Sequence, residues 1–335
     1  MYKLKKITVI FTSILLIFSS FAFTACNKST ADSSDSSDDS AAISDATRAS
    51  ADEAKAPFDP YATENNYDVD RYYLSEHSDV DYGTVLKDVS YYSSVAGDYK
   101  ECNILLPADY SESESYPVMY VFHGFNGSHN DLIDDSQYLT VVYGNLLDAG
   151  LAVPQIIVNV DMYTDAKDKF EDMSMRDLRY SYDKAVDDVA LCLMPFMEEN
   201  FNIKTGRENT AIGGISEGGA KSLCTGLKWI YKFGYIAAFA PDGNVIQVYE
   251  DSIYDSYWTD PYFDELPVPS AENMPIYLYM AVGNADPWNV SATLYYRDVF
   301  NENGMKNQTD YVEGYAHNYK FWRVCFYNYL QKVFK

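Results

Sequence analysis

Short, nearly continuous apolar runs recur along the last two thirds of the sequence, separated by polar segments. Runs of this kind are typical of strands that are buried on both faces, as in a parallel sheet covered by helices. The last strand is predicted just before the C-terminal helix. The predicted strands are residues 117–122, 155–160, 210–215, 235–240, 276–282 and 308–312.

Two earlier segments alternate instead in the manner of strands. Residues 85–92 and 99–107 alternate between apolar and polar side chains around the turn at 96–98, which predicts an antiparallel hairpin. Apolar residues at helical spacing predict a helix at 180–200. Two more helices are predicted at 217–231, directly after a strand, and at 318–334. This order of elements predicts an α/β fold: a single domain with a doubly wound, mostly parallel sheet preceded by an antiparallel hairpin.

The first 25 residues are typical of an export signal, because three lysines among the first six residues precede an uncharged apolar run. The run ends in Phe23-Thr24-Ala25-Cys26, which resembles a bacterial lipobox. Cys26 is therefore predicted to be lipidated, with simple secretion as the alternative.

Residues 27–56 consist largely of Ser, Ala, Asp and Glu and contain no aromatic residue, so they cannot form a core. The predicted organisation is a signal peptide at 1–25, a lipidated cysteine with a disordered tether at 26–56, and one folded domain at 57–335. We expect an exported protein at the surface of a bacterial cell.

Composition narrows the range of partners. The 335 residues include 25 Lys and Arg against 50 Asp and Glu, a net charge of −25. A surface this acidic repels nucleic acid and anionic lipid, so we expect no nucleic-acid partner, no membrane contact beyond the anchor, and a monomer. The 32 tyrosines either fill the core or provide stacking surfaces for sugars and aromatic rings.

One sequence motif indicates a candidate serine nucleophile. Gly214-Ile215-Ser216-Glu217-Gly218 lies between a predicted strand and a predicted helix, the context that a nucleophile elbow requires. Small neighbours allow the sharp turn that projects the Ser216 hydroxyl above the sheet. A glycine-rich packing turn without chemistry is the alternative.

A serine nucleophile needs a base and a residue that orients the base. His317 is the only histidine after Ser216, and Asp286 follows the 276–282 strand, which gives the order Ser, acid, His found in α/β-hydrolases. The acidic insertion at 250–265 supplies three rival carboxylates, Asp255, Asp260 and Asp264.

The oxyanion formed in such chemistry needs two backbone N–H donors. We expect one from Glu217 and one from Phe125 in the loop after the 117–122 strand. In the same loop, His123 is predicted to be structural, and His129 is predicted either to lie at the surface or to contact substrate. His77 has no partner visible in the sequence.

No metal or cofactor is expected, since the histidines and cysteines show no ligand spacing and no phosphate-binding loop is present. Beyond Cys26, four cysteines allow three pairings that sequence cannot distinguish, and buried free thiols are the expected state. They are Cys102, Cys192, Cys224 and Cys325.

Taken together, the motifs resemble the Putative esterase family of α/β-hydrolases, the carbohydrate esterases of family 1 that include feruloyl and acetylxylan esterases. The resemblance covers roughly 83–333 and rests on the segments 105–110, 116–124, 207–219 and 314–322. It implies Ser216, Asp286 and His317 as a catalytic triad and no cofactor. The family usually has Met where Glu217 stands, and the insertion at 245–270 has no clear counterpart.

The resemblance implies a serine ester hydrolase acting on an ester linked to polysaccharide. Trp288 and Trp322, close in sequence to Asp286 and His317, are expected to contact substrate, which favours feruloyl or cinnamoyl groups. Acetylxylan esterase is the alternative within the family. A glycan-binding lipoprotein without catalytic activity is the alternative from another class.

Overall fold

The carboxyl edge of one sheet organises the molecule. A computed structural model describes residues 58–133, 139–165, 173–247 and 261–335, and these include eight strands in the order β1-β2-β4-β3-β5-β6-β7-β8. The strands are β1 (Thr84–Ser93), β2 (Asp98–Leu106), β3 (Val118–Phe122), β4 (Ile156–Val160), β5 (Thr210–Ile215), β6 (Tyr235–Phe239), β7 (Tyr277–Gly283) and β8 (Gln308–Val312).

The predicted topology is confirmed. β1 and β2 form an antiparallel hairpin, β2 joins β4 in antiparallel register, and every pair from β4 to β8 is parallel. Residues of β3 to β7 are buried on both faces, as the continuous apolar runs indicate. Parallel strands end at the same edge, so the loops after β3, β5, β7 and β8 converge there.

Helices cover both faces of the sheet. Those on one face share a core cluster with β2, β3 and β4, and α1 and α6 pack into the cluster on the other face. The helices are α1 (Leu139–Asp148), α2 (Met175–Asp188), α3 (Met194–Asn200), α4 (Glu217–Lys228), α5 (Val290–Glu302) and α6 (Tyr319–Leu330).

The helix predictions need correction. The helix predicted at 180–200 begins at residue 175 and passes through a π-helical segment at 189–193 before α3, and α4 and α6 end earlier than predicted. α1 and α5 were not predicted from spacing. α1 contains Gly144, a poor helix former, because a Cβ there would lie 2.4 Å from the ring of Tyr82.

All four described cysteines are buried free thiols, as expected. Tyrosine both fills the core and lies at the surface: of the 27 tyrosines in the described part of the chain, 11 are buried and seven are exposed. The predicted export signal, Cys26 and the tether lie outside the described residues. Among the residues described, no helix combines the length and the apolar character needed to cross a membrane.

Candidate active site

Ser216 occupies a strained turn between β5 and α4. Its backbone has φ 54° and ψ −125°, which is unusual for a residue with a side chain. The turn is fixed by a hydrogen bond from the Ser216 N–H to the carbonyl of Phe239, 2.8 Å long. The strain at Ser216 and its place between strand and helix are those of a nucleophile elbow.

His317 and Asp286 reach this serine from the loops after β8 and β7. Nε2 of His317 lies 3.0 Å from Oγ of Ser216, and Nδ1 of His317 lies 2.7 Å from Oδ2 of Asp286. A neutral imidazole with its proton on Nδ1 donates to Asp286 and accepts from the serine hydroxyl. The structure therefore brings the three predicted residues together in the geometry of an activated nucleophile.

The Asp286 carboxylate is held in place from its other side. Its Oδ1 accepts hydrogen bonds from the backbone N–H groups of Trp288 and Asn289, at 2.9 and 3.0 Å. Burial by itself raises the pKa of Asp286, but the hydrogen bonds from His317 and these N–H groups outweigh it and hold the pKa below its ordinary value. Asp286 is therefore ionised whenever His317 is neutral, as a residue that orients the base must be.

Two backbone N–H groups are placed near the serine. Glu217 is the first residue of α4, where N–H groups have no partner within the helix. The loop carrying Phe125 runs beside the nucleophile, since a Cβ on Gly124 would lie 3.8 Å from Cβ of Ser216. Both predicted donor residues thus border the serine, and their roles as donors stay predictions.

The side chain of Glu217 is fully buried, which the sequence did not indicate. Its carboxylate lies 2.9 Å from Nη1 of Arg179 and 3.2 Å from Nζ of Lys221, and it accepts a hydrogen bond from Asn244. Burial raises the pKa of Glu217, but the two cations outweigh burial and lower it to about 2. A buried carboxylate beside the nucleophile is tolerated here because it is paired.

Two tryptophans flank the imidazole. The rings of Trp288 and Trp322 meet the His317 ring edge to face, with centroids 5.1 and 5.0 Å away. Trp288 is 55% exposed, whereas Trp322 is 6% exposed. Trp322 is therefore packing that supports His317 and α6, and Trp288 is the one that presents its ring to solvent.

The remaining histidines lie elsewhere. His123 accepts a hydrogen bond from the backbone N–H of Met162 through Nε2, which fits the predicted structural role. His129 is buried, so the predicted surface location is wrong. Both its ring nitrogens lie 3.0 Å from carboxylates, those of Asp161 and Asp88, and none is left for a substrate. His77, without a visible partner in the sequence, stacks on Tyr72.

One group in the described residues has ligand atoms close enough to share a metal ion. Asp88, Glu101 and His129 each place one such atom within 4.8 Å of the others. Because His129 is already held between two carboxylates, its pKa is raised: burial lowers it, but the hydrogen bonds to Asp161 and Asp88 outweigh burial. A proton on the ring accounts for the arrangement, and we assign no metal.

None of the rival carboxylates takes the place of Asp286 within the described residues. Asp255 and Asp260 lie outside them, and Asp264 is exposed.

Sequence reasoning missed Arg179, Asp242 and Asn289, which are buried behind the site. Arg179 stands among polar residues, and Asp242 and Asn289 follow strands in segments that the sequence predicts as loops, so the local pattern gave no signal of burial.

Comparison with known proteins shows the family. Residues 93–332 match the family model described as Putative esterase. A curated endo-1,4-beta-xylanase/feruloyl esterase from Xylanibacter ruminicola is 24% identical over 271 residues, which is 79% of this chain and 33% of the relative. The chain thus spans about a third of the length of that relative.

Solved structures extend the comparison. A CE1 ferulic acid esterase from Anaeromyces mucronatus, solved in complex with ferulic acid, is 30% identical with a TM-score of 0.71, covering 79% of this chain and 96% of that chain. An S-formylglutathione hydrolase from Staphylococcus aureus is 15% identical with a TM-score of 0.53, covering 76% and 98%. The second likeness shows the fold alone.

The geometry predicts a single reactive serine. A fluorophosphonate probe should label Ser216, because the imidazole withdraws the hydroxyl proton as the bond to phosphorus forms. Ser216→Ala should abolish labelling, and Asp286→Asn should slow it by roughly 10²- to 10⁴-fold, since the amide no longer stabilises the imidazolium. Mass spectrometry of the labelled protein locates the adduct.

The matched control is Ser222→Ala, which removes a serine hydroxyl six positions further along α4 that donates to the Gly218 carbonyl. Its labelling should equal that of the wild type. Equal labelling of the wild type and Ser216→Ala would contradict the assignment of the nucleophile.

Proposed function

The chain belongs to the Putative esterase family, and from that membership we propose that it is a carboxylic-ester hydrolase of the feruloyl esterase type. The observation that carries the proposal is the continuous hydrogen-bonded series Ser216–His317–Asp286 at the carboxyl edge of the sheet. The substrate we propose is a feruloyl or related cinnamoyl ester on plant cell-wall polysaccharide.

The mechanism we propose is acyl transfer in two steps. His317 takes the proton of Ser216 as Oγ attacks the ester carbonyl, and the N–H groups of Phe125 and Glu217 bind the oxyanion. Asp286 stabilises the imidazolium. His317 then protonates the departing alcohol, which leaves an acyl-enzyme on Ser216.

Water completes the reaction. His317 takes a proton from the water that attacks the acyl-enzyme, and it returns this proton to Oγ as the acid leaves. The first and last of these proton transfers run along the hydrogen bond that joins His317 Nε2 to Ser216 Oγ. The acyl group is the point on which the feruloyl proposal and the acetylxylan alternative differ.

The position of Trp288 supports a sugar on the alcohol side. Because His317 protonates the leaving alcohol, that alcohol must lie next to the imidazole, and the exposed Trp288 ring stands beside the same imidazole. Exposed indole rings suit apolar faces of ligands while leaving polar groups in water. We assign Trp288 to the sugar and not to the acyl group.

The first test is acid release from feruloylated and acetylated arabinoxylan, with Ser216→Ala as control. Ferulate should appear with the wild type and be absent with the variant, because the variant lacks the nucleophile. Chromatography of the released acids gives the answer directly. Acetate without ferulate would move the assignment to acetylxylan esterase, and neither acid would favour the glycan-binding alternative.

A second test addresses Trp288. Trp288→Ala should raise KM for feruloylated arabinoxylo-oligosaccharides by roughly 10-fold, the loss of one stacking contact of about 1–1.5 kcal/mol. With methyl ferulate, which has no sugar, KM should be unchanged. Tyr231→Ala is the control, since Tyr231 is similarly exposed at 57% on the loop before β6. An equal rise with both substrates would place Trp288 on the acyl side.

We also propose that Cys26 is lipidated and holds the enzyme at the cell surface, which rests on the lipobox-like segment 23–26. Two or more acyl chains anchor a protein stably to a membrane. In the native host, the wild type should sediment with membranes and Cys26→Ser should not. A membrane-bound Cys26→Ser protein would argue against the anchor.

A further inference from the structure

A cluster of charged side chains lies buried behind Ser216. Its members are almost fully buried apart from Asp183, whose side chain is 20% exposed. Burial of charge is unfavourable unless partners compensate it, so such a cluster needs a reason to exist at this place. The cluster comprises Arg179, Asp183, Glu217, Lys221 and Asp242.

Arg179 contacts the side of the site that binds the oxyanion. Its Nη1 lies 2.9 Å from Oε2 of Glu217, and its guanidinium carbon lies 5.3 Å from the centre of the Phe125 ring. Phe125 and Glu217 are the two residues whose N–H groups are assigned to the oxyanion. One guanidinium therefore contacts the side chains of both, by an ion pair and by a cation–π contact.

Arg179 also reaches the side of the site that holds the acid. Its Nη2 lies 3.1 Å from Oδ2 of Asp242, whose Oδ1 accepts a hydrogen bond of 2.7 Å from the Asn289 side chain. The backbone N–H of Asn289 in turn donates to Asp286, which holds His317. Hydrogen bonds thus connect the guanidinium to the imidazole without interruption.

The charges in the cluster can balance. Burial raises the pKa of Asp242, and the negative charge of Glu217 raises it further, so Asp242 is the member that keeps its proton most readily. With Asp242 protonated, two cations face two carboxylates. No net negative charge then lies behind the position where the oxyanion develops, where such a charge would oppose catalysis.

We propose that Arg179 is a positioning residue of the active site. Its guanidinium fixes the two oxyanion-donor residues on one side and, through Asp242 and Asn289, the orientation of Asp286 on the other. Arg179 touches no reacting atom and acts through these neighbours. The proposal rests on the ester hydrolase function proposed above.

The decisive comparison separates positioning from stability. Arg179→Met removes a cation and leaves Glu217 poorly compensated, so melting temperature and kcat should both fall. The double variant Arg179→Met/Glu217→Met removes both charges and should restore the melting temperature. Since the donor residues are still not held, kcat for p-nitrophenyl acetate should stay lower than wild type by roughly 100-fold, with KM little changed.

The other arm is tested by Asn289→Ala, which removes the side-chain hydrogen bonds to Asp242 and to the Ala240 carbonyl and keeps the backbone N–H that binds Asp286. We expect a lower kcat at unchanged KM. The control is Thr293→Val, a buried residue one turn further along α5 whose hydroxyl donates only to the Asn289 carbonyl. That substitution should leave kcat unchanged.

A readout independent of turnover is the NMR resonance of the proton between His317 Nδ1 and Asp286. It should shift in Arg179→Met/Glu217→Met and in Asn289→Ala and stay in place in Thr293→Val. Recovery of wild-type kcat together with stability in the double variant would overturn the proposal, as would an unmoved resonance. A wild type that neither hydrolyses esters nor reacts with fluorophosphonate would instead count against the proposed function, and the resonance would still decide the role of Arg179.

Discussion

The close contact between β5 and α4 is the constraint on which the site depends. A Cβ on Gly214 would lie 2.3 Å from the carbonyl oxygen of Gly218, and one on Gly218 would lie 2.2 Å from that of His123. Because both positions are glycines, α4 can begin directly behind β5 and lie against the end of β3. This forces Ser216 into its positive φ, at a cost of about 1–3 kcal/mol that the surrounding structure must supply.

The same close contact explains why the buried charge of Glu217 needs partners of opposite charge. The first residue of α4 lies between sheet and helices, so the Glu217 side chain has no route to solvent. In a chain of net charge −25, further carboxylates lie nearby, and Arg179 and Lys221 are the cations that compensate them. Buried pairs add little net stability compared with apolar packing, but they hold their groups in one arrangement. A site whose donors must be fixed in place benefits from that property.

Much of this could be predicted because it is local in sequence. Continuous apolar runs identify the buried strands, and chain order after the Gly-x-Ser-x-Gly motif singles out His317. Asp286 is preferred to its rivals because it comes just after the strand at 276–282. Arg179 could not be found in this way. It stands among polar residues that are typical of a solvated helix face, and its burial depends on Asp242, 63 residues further along the chain. The burial of His129 could not be predicted for the same reason. The carboxylates that contact it, Asp88 and Asp161, come from β1 and from the residue after β4.

The role of an aromatic residue cannot be inferred from composition without knowing whether its ring is buried. The abundance of tyrosine left core filling and stacking surfaces open as alternatives, and Tyr91, Tyr182 and Tyr296 are buried with their hydroxyls bonded to protein groups, as core tyrosines are. Single exposed aromatic rings are common at protein surfaces, so the place of the ring beside the active site is what makes Trp288 informative. Trp288 keeps its ring in solvent beside the imidazole that protonates the leaving alcohol in the proposed mechanism. Selectivity in this active site is therefore expected to lie partly in the alcohol, whereas the acyl group meets the serine and the oxyanion donors on the other side of the scissile bond.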